Sequence, residues 1–173
     1  MFTRYIRQLL ICISMSGLGC NIGGFVTNIL AYADDIVLMA PSWCALQELL
    51  FILEKCCSAL DVLCNAKKTV CMKFCPRDSS KIVTENFPVF TLCGQSLEFA
   101  SEFRYLGHII NDRLSDDNDI NREIRNLNVR TNMLIRRFGR CSRMVKTRLF
   151  RTYCTCLYGS ALWTSYSKTS LRR

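Results

Sequence analysis

No aspartate or glutamate precedes Asp34. Any chemistry that needs an acidic side chain in the first 33 residues is thereby excluded. The sequence also holds no Cys-x-x-Cys pair and only one histidine, His108, so the usual ligand pairs of a zinc site are missing. No repeat or low-complexity tract occurs, which excludes solenoids and arrays. A long uninterrupted apolar run is missing as well. Residues 8–33 carry no charge and follow Arg4 and Arg7, as in a signal peptide. However, Gly17, Gly19, Gly23, Gly24, Asn21 and Asn28 break the run, and a spanning helix needs ~20 mostly apolar residues. A membrane or secreted protein is therefore not the expected reading.

What is present suits a packed intracellular chain, nuclear or cytoplasmic. Half of the 173 residues are hydrophobic, enough for one domain or two small ones. The twelve cysteines lie within apolar runs, as in Cys56-Cys57, Cys71 and Cys154-x-Cys156, and read as reduced thiols acting as small core hydrophobes. The net charge is +9, and it is unevenly placed. Residues 120–173 carry 13 Lys and Arg against the single acid Glu123, a net +12, while residues 1–119 sum to −3. A basic module after a near-neutral one points to an anionic partner, nucleic acid first.

Patterning predicts an α+β chain. Residues 2–15 read as a helix and 16–21 as a Gly-rich connection. Ile29–Tyr32 and Ile36–Ala40 read as buried strands around a tight turn, Ala33-Asp34-Asp35, with both faces covered. Ser42 is the expected N-cap of a helix whose buried stripe is Leu46, Leu49, Leu50, Leu53, Cys57 and Leu60. Val70, Met72 and Phe74 alternate as in a half-buried strand, and residues 76–88 read as a loop. A hairpin is expected around Cys93-Gly94-Gln95, and a single strand over 103–110. The acidic stretch 111–118 reads as a linker, dividing the chain into 1–111 and 112–173. Beyond it, Ile120, Ile124, Leu127, Thr131, Leu134 and Phe138 predict a helix ended by Gly139. Val145, Leu149, Tyr153, Cys156 and Leu157 predict a second, ended by Gly159, with Arg143, Lys146, Arg148 and Arg151 facing outward.

Two adjacent carboxylates at the tip of an apolar hairpin repel one another and are poorly solvated. A hard cation such as Mg²⁺ or Mn²⁺ relieves both problems. Asp is also a common turn residue, so the dipeptide alone favours a solvated turn, and it is the unbroken apolar strands on both sides that point toward a functional pair.

The wider sequence carries a resemblance. Tyr32-Ala33-Asp34-Asp35-Ile36-Val37-Leu38-Met39 resembles the active-site motif of reverse transcriptases of non-LTR (LINE-type) retrotransposons. Gly19-Cys20-Asn21-Ile22-Gly23-Gly24 resembles the segment before that turn. Asn65-Ala66-Lys67-Lys68-Thr69 with Met72-Lys73-Phe74 resembles the family's Asn-x-x-Lys-Thr strand. Phe103-Arg104-Tyr105-Leu106-Gly107-His108 resembles its primer-contacting segment. Asp119 to Ile124 is similar to the helix start beyond it, and Leu157-Tyr158-Gly159-Ser160 through Trp163 to the Leu-Tyr-Gly-Ser-x-x-Trp segment of the thumb-like region. The six segments stand in family order across nearly the whole chain.

The resemblance implies a partial polymerase palm, antiparallel strands with packing helices, followed by a helical thumb-like region. It implies an RNA-directed DNA polymerase using two Mg²⁺ or Mn²⁺ ions, an RNA template, a DNA primer and deoxynucleoside triphosphates. Asp34 would bind metal, with Asp35 assisting. Tyr32 would flank the primer end and incoming nucleotide, and Lys68 the nucleotide's phosphates. Phe103, Tyr105, Leu106 and Gly107 would hold the primer. Arg143, Lys146, Arg148 and Arg151 would contact the nucleic-acid backbone without reading sequence. The family also uses an earlier metal-binding Asp and a nucleotide-pocket segment, and neither has a counterpart here. The chain is thus expected to lack the N-terminal palm and fingers and to be inactive alone. The alternative is a non-catalytic basic fragment that binds RNA or DNA.

Overall fold

The computed structural model describes residues 2–76 and 87–171. Most of the loop expected over 76–88 lies outside the described residues. The chain forms two compact units. One holds residues 2–71 and 87–99, and the other 72–76 and 100–171. The expected division at 111/112 is not where the chain divides. Asp112 N donates to Ser101 O and Cys75 N to Asp112 O, at 2.9 and 2.8 Å, so the strands before the acidic stretch belong with the helices after it.

In the first unit, α1 (Phe2–Tyr5) and α2 (Arg7–Ser14) replace the single helix expected over 2–15. The inward residues Ile6, Leu9 and Ile13 keep helical spacing and are buried. Four strands follow as two hairpins. The first, β1 (Cys20–Ile22) with β2 (Phe25–Thr27), was expected as a connection and part of one strand. Gly23 and Gly24, at φ 60° and 89°, make the two-residue turn that creates it, because adjacent positive φ values match the strands' twist. The second hairpin is β3 (Ile29–Tyr32) with β4 (Asp35–Leu38).

Helix α3 (Trp43–Ala59) begins where the sequence places it. The Ser42 side chain accepts from Ala45 N, filling one of the orphan donors of the first turn. Leu49, Leu50, Leu53 and Cys57 face the core, against Leu9 and Ile13 of α2 and Ala66, Cys71, Phe90, Leu92 and Leu97. The strand expected over 70–74 is only β5 (Val70–Cys71), and its buried residue is Cys71, the opposite phase from the expected one. It pairs in parallel with β8 (Glu98–Phe99). Between them, β6 (Thr91–Leu92) and β7 (Gln95–Ser96) form the expected hairpin, with a two-residue turn, Cys93-Gly94, rather than three. The Glu54 carboxylate of α3 accepts from Cys93 N and ties that turn to the helix.

In the second unit, 103–110 is not one strand. β9 (Glu102–Tyr105) and β10 (His108–Asn111) form a hairpin around Leu106-Gly107, at φ 46° and 88°. Helix α4 (Asp117–Phe138) ends at Gly139, as its apolar spacing predicts. α5 (Arg143–Leu149) is shorter than expected and runs into a π-helical turn, Phe150–Cys154. The wider π turn shifts the register of side chains around the axis. The expected stripe is broken there, with Tyr153 and Leu157 exposed and Cys154 the buried residue, and Val145 is exposed already in α5. Gly159 sits in the left-handed region before a 3₁₀ turn, Ser160–Leu162, and α6 (Lys168–Leu171) follows.

Among the described residues of this unit, only Ile120 and Cys154 are buried hydrophobics, and Asp119 and Glu123 are buried with them. The unit is therefore organised around charge. Of the twelve cysteines, all are free, three are buried and three (Cys44, Cys93 and Cys156) are exposed, so the core-hydrophobe reading holds for only part of the set. Among the described residues, no helix is long and apolar enough to cross a membrane.

Candidate functional site

The hairpin of β3 and β4 places Tyr32 opposite Asp35, with Ala33 and Asp34 as its turn. Ala33 has φ 53°, a conformation that stores about 1–2 kcal/mol in a residue with a Cβ. A single positive φ at the first turn position is the sign pattern of a type II′ turn. Asp34 and Asp35 are both exposed, and Tyr32 is 64% exposed. The expected covering of both hairpin faces is not found, since Leu30 and Ala31 are exposed too and only Ile29 and Ile36–Leu38 are half-buried. Continuous apolar composition could not distinguish a covered hairpin from an open one.

The hairpin is held from its base by Asn28, which is 2% exposed. Its side-chain amide donates to Ile13 O at 2.6 Å and Leu18 O at 2.7 Å, and its backbone carbonyl accepts from Met39 N at 2.8 Å. One buried asparagine thus joins the end of α2 and the following loop through its side chain, and the strand leaving the Asp pair through its backbone. The same asparagine reads, in sequence, only as a polar interruption of an apolar run. Gly19 packs against it, and a Cβ there would lie 2.8 Å from Asn28 Cβ.

Lys68 lies in a turn closed by bonds from Lys68 N to the Asn65 side chain and from Thr69 N to Asn65 O. Its side chain is exposed, and no ion pair among the described residues joins it to Asp34 or Asp35. No group of three or more His, Cys, Asp or Glu side chains able to hold a metal occurs among the described residues. Two exposed carboxylates with no third such ligand beside them among the described residues supply only part of a coordination shell. They do not fit the two-ion clamp that the resemblance implies, in which both attacking and leaving oxygens are held.

The second unit concentrates its geometry on Asp119. This carboxylate is 2% exposed. Its Oδ1 accepts from Ile109 N at 2.9 Å and Arg122 Nε at 2.7 Å. Its Oδ2 meets Trp163 Nε1 at 2.9 Å and His108 Nδ1 at 3.2 Å. Burial alone would raise its pKa, but the bonds from Arg122, Trp163, Ile109 and His108 outweigh that and hold it well below the usual carboxylate range. Arg122 also bonds Glu123 at 2.6 Å, and Arg130 reaches Glu123 at 3.4 Å and Cys156 O at 3.2 Å. Glu123 is likewise lowered: burial opposes the shift, and Asn126, Arg122 and Arg130 outweigh it.

Around this carboxylate, three segments that are distant in sequence meet. The imidazole of His108 stacks on Tyr158 with centroids 5.0 Å apart. Tyr158 OH reaches Leu106 O at 3.4 Å, and its ring lies over Gly107, where a Cβ would come within 3.3 Å. Gly159 is φ 74°, and a Cβ there would fall 1.7 Å from His108 Cε1. The Leu106-Gly107 turn, the start of α4 and the 157–163 segment are therefore built as one piece. Of the expected primer-contacting residues, Phe103 is exposed, while Tyr105, Leu106 and Gly107 are half-buried.

The stretch expected as a linker does structural work of its own. Asp116 accepts from Thr164 N and Ser165 N, both at 2.7 Å. Asp117 accepts from Ser170 Oγ and from Ser167 N, and these bonds bring its pKa down to about 2. Both carboxylates thereby fasten the segment after Trp163 to the first turn of α4.

Arg143, Arg148 and Arg151 are exposed and line an open depression with Met144, Thr147 and Thr152. Lys146 differs from the outward role expected of it. It is half-buried, and its Nζ donates to Gly139 O at 3.1 Å, capping the C-terminal end of α4, where a cation is favoured by the helix dipole. No protein-family model matches the chain, and no curated protein matches it.

Proposed function

We propose that this chain is the palm-and-thumb-like part of a non-LTR reverse transcriptase, and that by itself it binds a template–primer duplex without extending it. The observation that carries the reading is the convergence on Asp119. Three segments resembling that family, 103–108, 119–124 and 157–163, share one buried carboxylate through His108, Ile109 and Trp163. A chance collection of short motifs has no reason to assemble in this way.

Binding rests on the net +12 of residues 120–173, with Arg143, Arg148 and Arg151 as phosphate contacts. The Leu106-Gly107 turn under Tyr158 offers backbone groups and an aromatic face to a primer strand. Among the described residues, Asp34 and Asp35 lack the further ligands of a two-ion site, so no nucleotidyl transfer is expected of the chain alone. The test is anisotropy with a labelled RNA–DNA duplex across a salt series, alongside primer extension in Mg²⁺ and Mn²⁺. Salt-dependent binding unchanged by Asp34→Asn, with no extension, is the expected pair of results. Template-dependent incorporation abolished by Asp34→Asn overturns the non-catalytic reading, and salt-independent or absent binding overturns the duplex reading.

A further inference from the structure

The first unit contains a sulfur contact that duplex binding does not use. Cys57 lies in the last turn of α3 and is buried, and Cys64 lies seven residues on and is half-buried. Their sulfurs are 3.3 Å apart, with the Cys64 thiol donating to Cys57 Sγ. The backbone fixes this approach. Leu60 caps the helix, Asp61 takes φ 55°, and Val62 N returns to Cys57 O at 2.9 Å. The chain therefore folds back on the helix end and delivers Cys64 to Cys57.

We propose that Cys57 and Cys64 are an oxidation site that closes to an intramolecular disulfide in the presence of a peroxide. The sulfurs need to approach only from 3.3 Å to about 2.05 Å, a movement within reach of side-chain rotation. Peroxide oxidises the more accessible Cys64 to a sulfenic acid: an S–O bond forms, the O–O bond breaks and water leaves. Cys57 sulfur then attacks Cys64 sulfur, the S–S bond forms, the S–O bond breaks, and the hydroxide takes the Cys57 proton to leave as a second water. Two thiols and one peroxide give one disulfide and two waters. Burial and the Cys57 contact push the Cys64 thiol up to about 12, which makes the reaction slow at neutral pH and keeps the pair reduced without an oxidant.

The product pins the helix end to the segment that enters the Asn65–Thr69 turn, and so immobilises the turn that carries Lys68. Cys93 also hydrogen-bonds Cys64, but it belongs to the separate β6–β7 turn. Cys57 shares a continuous, backbone-bonded segment with Cys64 and is its expected partner.

The experiment treats the whole chain with hydrogen peroxide at neutral pH, blocks residual thiols, digests with trypsin and sequences the peptides by mass. Lys55 and Lys67 bracket a peptide, 56–67, that holds Cys56, Cys57 and Cys64. The expected result is loss of two hydrogens from this peptide, with fragment ions placing the bond between Cys57 and Cys64, reversal by dithiothreitol, and persistence in Cys56→Ser. A bond involving Cys56 overturns the proposal. So does a crosslink from 56–67 to 82–104, which carries Cys93, or conversion of other thiols to sulfinic acid while 56–67 stays reduced. Fragmentation of the unaltered chain assigns the bond, so the result does not depend on any variant folding.

Discussion

The indole Nε1 of Trp163 donates to Asp119 Oδ2 at 2.9 Å across 44 residues of sequence. It fastens the 157–163 segment to the first turn of α4, and the same carboxylate holds Ile109 N and Arg122. In a unit with two buried hydrophobics among its described residues, this is the principal tie.

Asp119→Ala removes the shared acceptor of Arg122 Nε, an indole N–H and a backbone N–H, and leaves Arg122 only Glu123 as a carboxylate partner. Breaking a buried pair by deleting one partner costs about 3–5 kcal/mol. Urea unfolding followed by Trp163 fluorescence in a Trp43→Phe background should show a loss of that size in the second unit. A change within ~0.5 kcal/mol, as at an ordinary surface position, contradicts the assignment.

Acid should unfold the second unit first. Asp119 and Asp117 both have folded pKa values below the unfolded carboxylate's, Asp117 at about 2. A group lowered on folding contributes its full stabilisation above the unfolded value, about 3.9, and loses it as pH falls through the folded one. Melting temperature should therefore decline from roughly pH 4 downward. Asp117→Asn should flatten that decline between about 4 and about 2. An unchanged pH profile in that variant rejects Asp117 as a contributor.

Gly159→Ala meets two obstacles at once, a left-handed backbone at φ 74° and His108 Cε1 1.7 Å from the new Cβ. Destabilisation of about 1–3 kcal/mol is expected from the conformation alone, with more from the clash. Adding His108→Ala should recover the clash portion and leave the backbone portion. Strict additivity of the two changes would show that the rings do not collide.

Replacing Arg143, Arg148 and Arg151 together by Ala should weaken duplex binding at low salt and make log K less salt-dependent, by up to about 2–3 in slope. Lys146→Ala should leave the slope unchanged and instead loosen the end of α4, because its ammonium is committed to Gly139 O. A slope that responds to Lys146 and not to the arginines reverses this division of labour.

Local rules governed by neighbouring residues were readable in the sequence. Ser42 caps α3 because its oxygen reaches a donor three residues on, and Gly139 ends α4 after an uninterrupted apolar period. The Cys93-Gly94 turn follows from backbone freedom at a glycine. The Leu106-Gly107 turn obeys the same rule, yet its flanking residues read as one strand, because β-formers stand on both sides of a single glycine. The π turn at Phe150–Cys154 escaped for the opposite reason, since a 3.6-residue period was assumed through a segment that does not keep it.

By itself, the sequence determined the α+β class, the basic last third, the helix caps and the Asp34-Asp35 pair at a hairpin tip. These depend on side-chain periodicity, charge and the conformational range of residues close together in the chain. Only the tertiary structure decided that the 111–118 acids are anchors rather than a linker, that Lys146 caps a helix, that Asn28 holds the Asp hairpin, and that Asp119 gathers segments from both sides of α4. Each of these rests on a polar group finding a partner outside its own element, for Asp116, Asp117 and Asp119 from a distant part of the chain. Burial makes such partners obligatory, but no spacing rule says which ones they will be.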